Sequence, residues 1–190
     1  WVTDGTPNGT VLFADLVPGT AGSRPAAMTV LGNKMIFNAY TMADGAEPWV
    51  SDGTPGGTQL LANINPGVGW SSPRNFTALG GQMLFAATDI MNGEELWITD
   101  GTTNGTSLLI DLEPGVANSQ PRELRLLSGK LLFLASTSMH GRELWITDGT
   151  AQGTRLVVDL KPGPRSAEIS QITAFGSRAM FWAKAHGVAG

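Results

Sequence analysis

The chain has 190 residues and a mass of 19.9 kDa, enough for folding to bury roughly 70% of the surface its unfolded form exposes, so a core can form without staples. With no cysteine there is no disulfide framework, thiolate metal site or cysteine nucleophile. Twelve Lys and Arg against sixteen Asp and Glu give a net charge of −4 with no basic run, which argues against a nucleic-acid partner, and no apolar stretch approaches the ~18 residues of a membrane-spanning helix.

Charged residues are only 15% of the chain, while Gly and Pro together make up 36 of 190, a composition that reads as folded and turn-rich. The first residue is Trp1 and no signal-peptide pattern follows, so the sequence reads as a piece excised from something longer. In chain order the elements come as a repeat. The pattern Trp-x-(Thr/Ser)-Asp-Gly-Thr starts at Trp1, Trp49, Trp97 and Trp145, in three steps of 48 residues. Gly9, Gly57, Gly105 and Gly153 follow in phase, then Asp15, Asn63, Asp111 and Asp159, then Pro18, Pro66, Pro114 and Pro162. Further on come Ser23, Ser71, Ser119 and Ser166, and then Phe37, Phe85, Phe133 and Phe181.

Each unit carries four apolar runs of strand length, read in the third copy at 123–127, 130–135 and 143–147 and, entering the fourth, at 154–160. Turn signals separate them: a tight Ser-Gly or Gly-Asn turn, an Asp-Gly or Asn-Gly loop, and Asp-Gly-Thr-x-x-Gly-Thr. No window of a dozen residues has the helical period, so the expectation is an all-β fold. Four strands per 48 residues is the grain of a propeller blade, a twisted antiparallel sheet packed on both faces by neighbouring blades, and residues 1–190 read as one such domain. A solenoid fits less well, since its repeats are usually shorter. The chain opens inside a third strand, so the matching first and second strands lie at the far end, near 170–183. The expected assemblies are a four-bladed ring latched by its two ends, half of an eight-bladed ring completed by a second copy, or a slice of a longer array.

The segments Glu95-Leu96-Trp97-Ile98-Thr99-Asp100-Gly101-Thr102 and Glu143-Leu144-Trp145-Ile146-Thr147-Asp148-Gly149-Thr150 resemble the E-L-W-x-x-D-G-T repeat family of bacterial proteins. The resemblance covers practically the whole chain. It implies a β-propeller-like, secreted or cell-surface protein and no established reaction. Pro48 departs from the pattern where leucine is expected, as does the ending His186-Gly187-Val188-Ala189-Gly190.

Residues repeated in every copy read as scaffold. The tryptophans offer sugar-stacking faces, but their place inside apolar third strands points to packing between blades. The Asp-Gly-Thr hairpins supply one carboxylate each, which fits an aspartate bonding its own turn better than calcium ligation, and no metal or other cofactor is expected. Glu47, Glu95 and Glu143 share the tryptophan strands and are expected to be hydrogen-bonded struts between blades. A single binding site must break the repeat, and the residues that do so are Trp70, Tyr40, His140, His186, Arg24, Arg74, Arg122 and Arg142. Of these, Arg24, Tyr40, Trp70, Arg74, His140 and Arg142 are the expected ligand contacts. The two histidines read as solvated loop residues. Long linkers and the loops joining second to third strands should share one face, and the variation between copies concentrates there. The leading functional expectation is a non-catalytic binding or adhesion module, extracellular or on the cell surface, that presents these loops to a glycan or protein partner. The alternatives are a glycan-active hydrolase or lyase using Asp44, Asp89 or Glu94, and a structural spacer.

Overall fold

The computed structural model describes residues 1–67 and 69–184, and among them every regular element is a strand. Three four-stranded antiparallel sheets follow one another: β1 (Ala26–Leu31), β2 (Lys34–Thr41), β3 (Gly45–Ser51) and β4 (Gln59–Leu60); β5 (Arg74–Leu79), β6 (Gln82–Asp89), β7 (Gly93–Thr99) and β8 (Ser107–Ile110); β9 (Arg122–Leu127), β10 (Lys130–Thr137), β11 (Gly141–Thr147) and β12 (Arg155–Val158). A two-stranded sheet of β13 (Ser170–Phe175) and β14 (Arg178–Trp182) ends the described chain. Strands within each sheet are ordered as in the sequence, and the first strands of successive sheets approach one another, β1 to β5, β5 to β9 and β9 to β13.

The strands run close to their expected bounds, with two instructive differences. The hairpin of β10 and β11 extends to Ser136↔Arg142 and Thr137↔Gly141, past the apolar run, because the ladder continues until the turn is closed. The fourth strand is shorter than 154–160, since the Thr154 hydroxyl is drawn into the preceding hairpin, where it bonds Thr147 Oγ1 and the Thr150 carbonyl, both at 2.7 Å. Each first strand also bulges at its second residue. Ala27, Asn75, Glu123 and Gln171 all have φ between 53° and 61°, and the pairing with the second strand shifts register just there, which bends the strand and increases its twist.

Three apolar seams hold the sheets together, each joining one sheet to the next. Leu31, Ile36 and Val50 pack against Phe76, Met83 and Phe85. Leu79, Leu84 and Leu96 meet Leu124, Leu131 and Phe133. Leu132, Leu134 and Leu144 meet Ile169 and Ile172, with Phe181 alongside. Trp97 and Trp145 lie in the first two of these seams, and Trp49 packs with Phe37, Leu16 and Leu60, so three of the four repeated indoles serve packing. Trp1 does not: it is 82% exposed. Val2 and Val11 form an isolated bridge that is not joined to β13 and β14, so among the described residues the latch of the four-bladed alternative is not made.

Glu47, Glu95 and Glu143 are buried at the root of each third strand and tie the linker to the next sheet. Glu95 accepts from the backbone N–H of Leu112 at 3.0 Å and of Ser119 at 2.9 Å, and from Ser119 Oγ at 2.6 Å. Glu47 does the same with Ile64, Asn65 and Ser71. In the last copy the register departs from expectation. Ala167, not Ser166, stands where Ser71 and Ser119 stand: its N–H reaches the Arg142 carbonyl as that of Ser119 reaches Glu94, and its carbonyl accepts from Lys184 as that of Ser119 accepts from Ser136. Alanine has no hydroxyl, and Glu143 Oε1 is left buried without a partner among the described residues. Burial pushes all three carboxyls upward against these bonds, Glu95 to about 7.

Candidate functional site

The two ends of the sheets differ in chemistry. At one end the Asp-Gly-Thr hairpins repeat without variation. Asp100 Oδ1 accepts from Thr102 N–H at 2.8 Å and Thr102 Oγ1 at 2.6 Å, Thr102 Oγ1 accepts from Gly105 N–H, and the hydroxyls of Thr99 and Thr106 meet at 2.7 Å. Asp4, Asp52 and Asp148 do likewise, and these bonds hold all four carboxyls below the usual aspartate range. The aspartates are therefore spent on their own turns. The Lys34 ammonium donates to the Gly101 carbonyl at 2.8 Å, bringing a tight turn of the first sheet against the hairpin of the second.

At the other end the linkers meet the loops between second and third strands, as expected for a shared face. Asn63 bonds Asp44, Ser138 N–H donates to Glu113, Glu94 N–H donates to Asn118, and His140 Nδ1 lies 2.9 Å from Asp159 Oδ2. The approach is close enough to demand glycine. A Cβ on Gly93, whose φ is +69°, would stand 2.1 Å from the Ala117 carbonyl oxygen.

Over the end of the first sheet, between the linkers that precede and follow it, this face opens into a cleft of about 640 Å³. Arg24, Tyr40 and Trp70 line it together, with Asn38, Thr20 and Ser72 supplying polar groups. The Tyr40 and Trp70 rings meet edge to face at 5.6 Å and 66°. Both Trp70 and Arg24 are exposed. The positive φ of Arg24, 46°, is shared by Ser72, Gln120 and Glu168 at the same repeat position, so that backbone strain belongs to the architecture and not to the cleft.

The other three expected contacts lie outside the cleft lining. Arg74 pairs with the buried Glu94 carboxylate. In the next copy Arg122 and Arg142 replace that pair, so two guanidiniums face a place where one met a carboxylate. Arg122 donates to Gln120 Oε1 at 2.7 Å, and Arg142 Nε is buried without a partner among the described residues. Burial, and then Arg122, lowers the Arg142 pKa. His140 is not the solvated loop residue expected: it is half buried and holds Asp159, because the loop folds back on the linker. His186 lies outside the described residues.

The carboxylates considered for hydrolysis are all engaged locally. Asp44 accepts from Thr41 Oγ1, Asp89 from the N–H groups of Met91 and Asn92 and from Asn92 Nδ2, and Glu94 from Arg74. Sequence reasoning passed over another feature of this face. Met42, Ile90, Met91 and Met139 stand exposed at equivalent loop tips. Their signal was available as an apolar residue recurring in loops that otherwise vary. No protein-family model matches the chain, and no curated protein matches it.

Proposed function

We propose that the sheets are blades set around a common axis in a secreted or cell-surface protein, and that the chain is a non-catalytic binding module whose Arg24–Tyr40–Trp70 cleft takes a glycan. The observation that carries this reading is the Tyr40–Trp70 pair at the cleft, on a scaffold whose repeated Trp49, Trp97 and Trp145 are packed. A sugar presents a C–H face to an aromatic ring and a fringe of hydroxyls to donors and acceptors. The cleft offers both kinds of surface, with the Arg24 guanidinium, the Asn38 amide and two hydroxyls beside the rings. Local engagement of Asp44, Asp89 and Glu94 in loop bonds supports binding over catalysis.

The test is a glycan array followed by titration of the best ligand against Trp70→Ala. The expected result is a loss of affinity of about tenfold or more with an unchanged melting temperature, since Trp70 is exposed. Turnover of a glycan substrate, lost in a folded Asp89→Asn, Glu94→Gln double variant, would establish the hydrolase reading instead. The exposed Met42, Met91 and Met139 tips favour a second reading, a protein partner held by adaptable apolar contacts. That partner's binding would survive Trp70→Ala and fail in a triple Met→Ser variant. A spacer predicts no binding in either experiment.

A further inference from the structure

The Arg24–Tyr40–Trp70 cleft lies where the first sheet is short of two side chains that the other whole sheets carry. First strands meet second strands at Ala26↔Asn38, Arg74↔Ala86 and Arg122↔Leu134, and the second residue of each third strand is Ala46, Glu94 or Arg142. In the second sheet these positions hold the Arg74–Glu94 ion pair, and in the third they hold two guanidinium groups. In the first sheet both are alanine, and Ala46 lines the cleft. The linker carrying Trp70 is fastened there by its backbone, since the Ser72 N–H donates to the Ala46 carbonyl at 3.1 Å and a Cβ on Gly45 would stand 2.8 Å from Trp70 Cδ1. The indole is thus held beside the space that the alanines leave. Two polar groups lining that space are unspent. Asn38 replaces the apolar Ala86 and Leu134 of the other sheets, and its Oδ1 is buried without a partner among the described residues. A half-turn about its last side-chain bond offers either end of the amide to the cleft, and a hydroxyl, which both donates and accepts, satisfies either. Arg24 is exposed and is the one charged residue lining the cleft; the ion pairs among the described residues are Arg74–Glu94 and His140–Asp159, so no carboxylate neutralises it.

We infer that the ligand of this cleft is an acidic glycan, its ring against the exposed Trp70 indole, its carboxylate or sulfate on the Arg24 guanidinium and one of its hydroxyls on the Asn38 amide. The inference rests on the reading of the cleft as a glycan site, and adds the charge of the sugar and the residues that select it. A neutral sugar leaves Arg24 without a counter-charge, whereas an acidic one forms charge-assisted bonds, which are roughly twice as strong as neutral ones. No carboxylate among the described residues lines the cleft to repel such a group. Asn38 is spent on nothing else: an unpaired buried amide oxygen costs the fold stability, and a hydroxyl that reaches the amide recovers it on binding.

The test titrates the 190-residue chain with an oligogalacturonate, its neutral methyl ester and a sulfated oligogalactan, beside the glycan array. An anionic compound should bind about tenfold or more tightly than the ester, with the margin shrinking as salt is added, and the tighter of the two anionic compounds names the acid group. Arg24→Gln should erase that margin and leave the melting temperature unchanged, since the side chain is exposed. Asn38→Ala, which gives the first sheet the residue of the second, should weaken the acid about tenfold while the melting temperature holds or rises; a purely structural amide would lower it instead. Ala26→Arg with Ala46→Glu rebuilds the ion pair of the second sheet and should abolish binding; if that variant does not fold, the two single variants decide alone. Equal affinity for acid and ester, a margin that survives Arg24→Gln, or an array that finds only neutral glycans overturns the acid assignment and keeps the glycan reading. A blank array overturns both.

Discussion

Met83 and Met35 are the same residue at the same place in successive repeats, yet Met83 is fully buried between two sheets while Met35 is 37% exposed at the open flank. The difference teaches that a repeat fixes the chemistry of a position, whereas burial comes from the neighbour that covers it. Met83→Ala should therefore cost about 2–5 kcal/mol, the range for emptying a packed site. Met35→Ala should cost under about 1 kcal/mol, because no neighbouring sheet covers Met35 among the described residues. Chemical denaturation of both variants reads the contrast. Equal losses would break it.

The linker clamps extend the comparison to polar groups. Buried Glu95 is held at about 7, above an ordinary glutamate, because burial outweighs three hydrogen bonds. A carboxyl raised in the folded state binds a proton there that the unfolded chain has released, so its contribution is complete below pH ~4.5 and is lost as the pH rises toward about 7. Glu47 and Glu143 are shifted the same way and add to the trend. From the Glu95 shift alone the loss is about 3 kcal/mol as an upper figure, since each pH unit of displacement corresponds to about 1.4 kcal/mol. Melting curves at pH 5 and pH 8 should show the higher temperature at pH 5, and Glu95→Gln should reduce the gap. A gap unchanged by that substitution would remove Glu95 from the explanation.

What the sequence made legible was whatever recurred. The four-strand grain, the hairpin aspartates, the seam tryptophans and the sharing of one face by linkers and second-to-third loops all rest on residues held in phase across copies. Arg24, Tyr40 and Trp70 were legible as departures from that phase, and the fold brings them into one cleft because the linker carrying Trp70 returns over the second strand carrying Tyr40. What stayed hidden depended on three-dimensional cover. Nothing in one strand's sequence shows that Trp1 stands in solvent while Trp97 is packed, or that His140 folds back onto Asp159. The apolar tips at Met42, Met91 and Met139 escaped because their recurrence is split between two adjacent loop positions, Met42 and Ile90 at one and Met91 and Met139 at the next, so neither holds its phase in every copy.

The smallest expected effect tests the sharpest of these near-misses, the clamp of the last copy. Ser119 Oγ donates to Glu95 at 2.6 Å, and Ser71 Oγ to Glu47 at the same distance. Ala167 holds that place for Glu143, its backbone bonded as theirs are, yet Glu143 Oε1 has no donor among the described residues. Ala167→Ser puts a hydroxyl where two other repeats already accommodate one, so it should be free of strain and satisfy the orphan oxygen. The gain should be about 1 kcal/mol, or a rise of roughly 2–4 °C in Tm for a chain of this size. The same bond favours the ionised Glu143, so the gain should be larger at pH 8 than at pH 5. Ser166→Ala is the counterpart, because Ser166 Oγ instead accepts from the Arg142 N–H at 3.0 Å, as Asn118 accepts from Glu94 in the preceding copy. It should destabilise. If Ala167→Ser lowered the melting temperature while Ser166→Ala left it unchanged, serine 166 would be the true repeat position and the last linker would run one residue out of the register described.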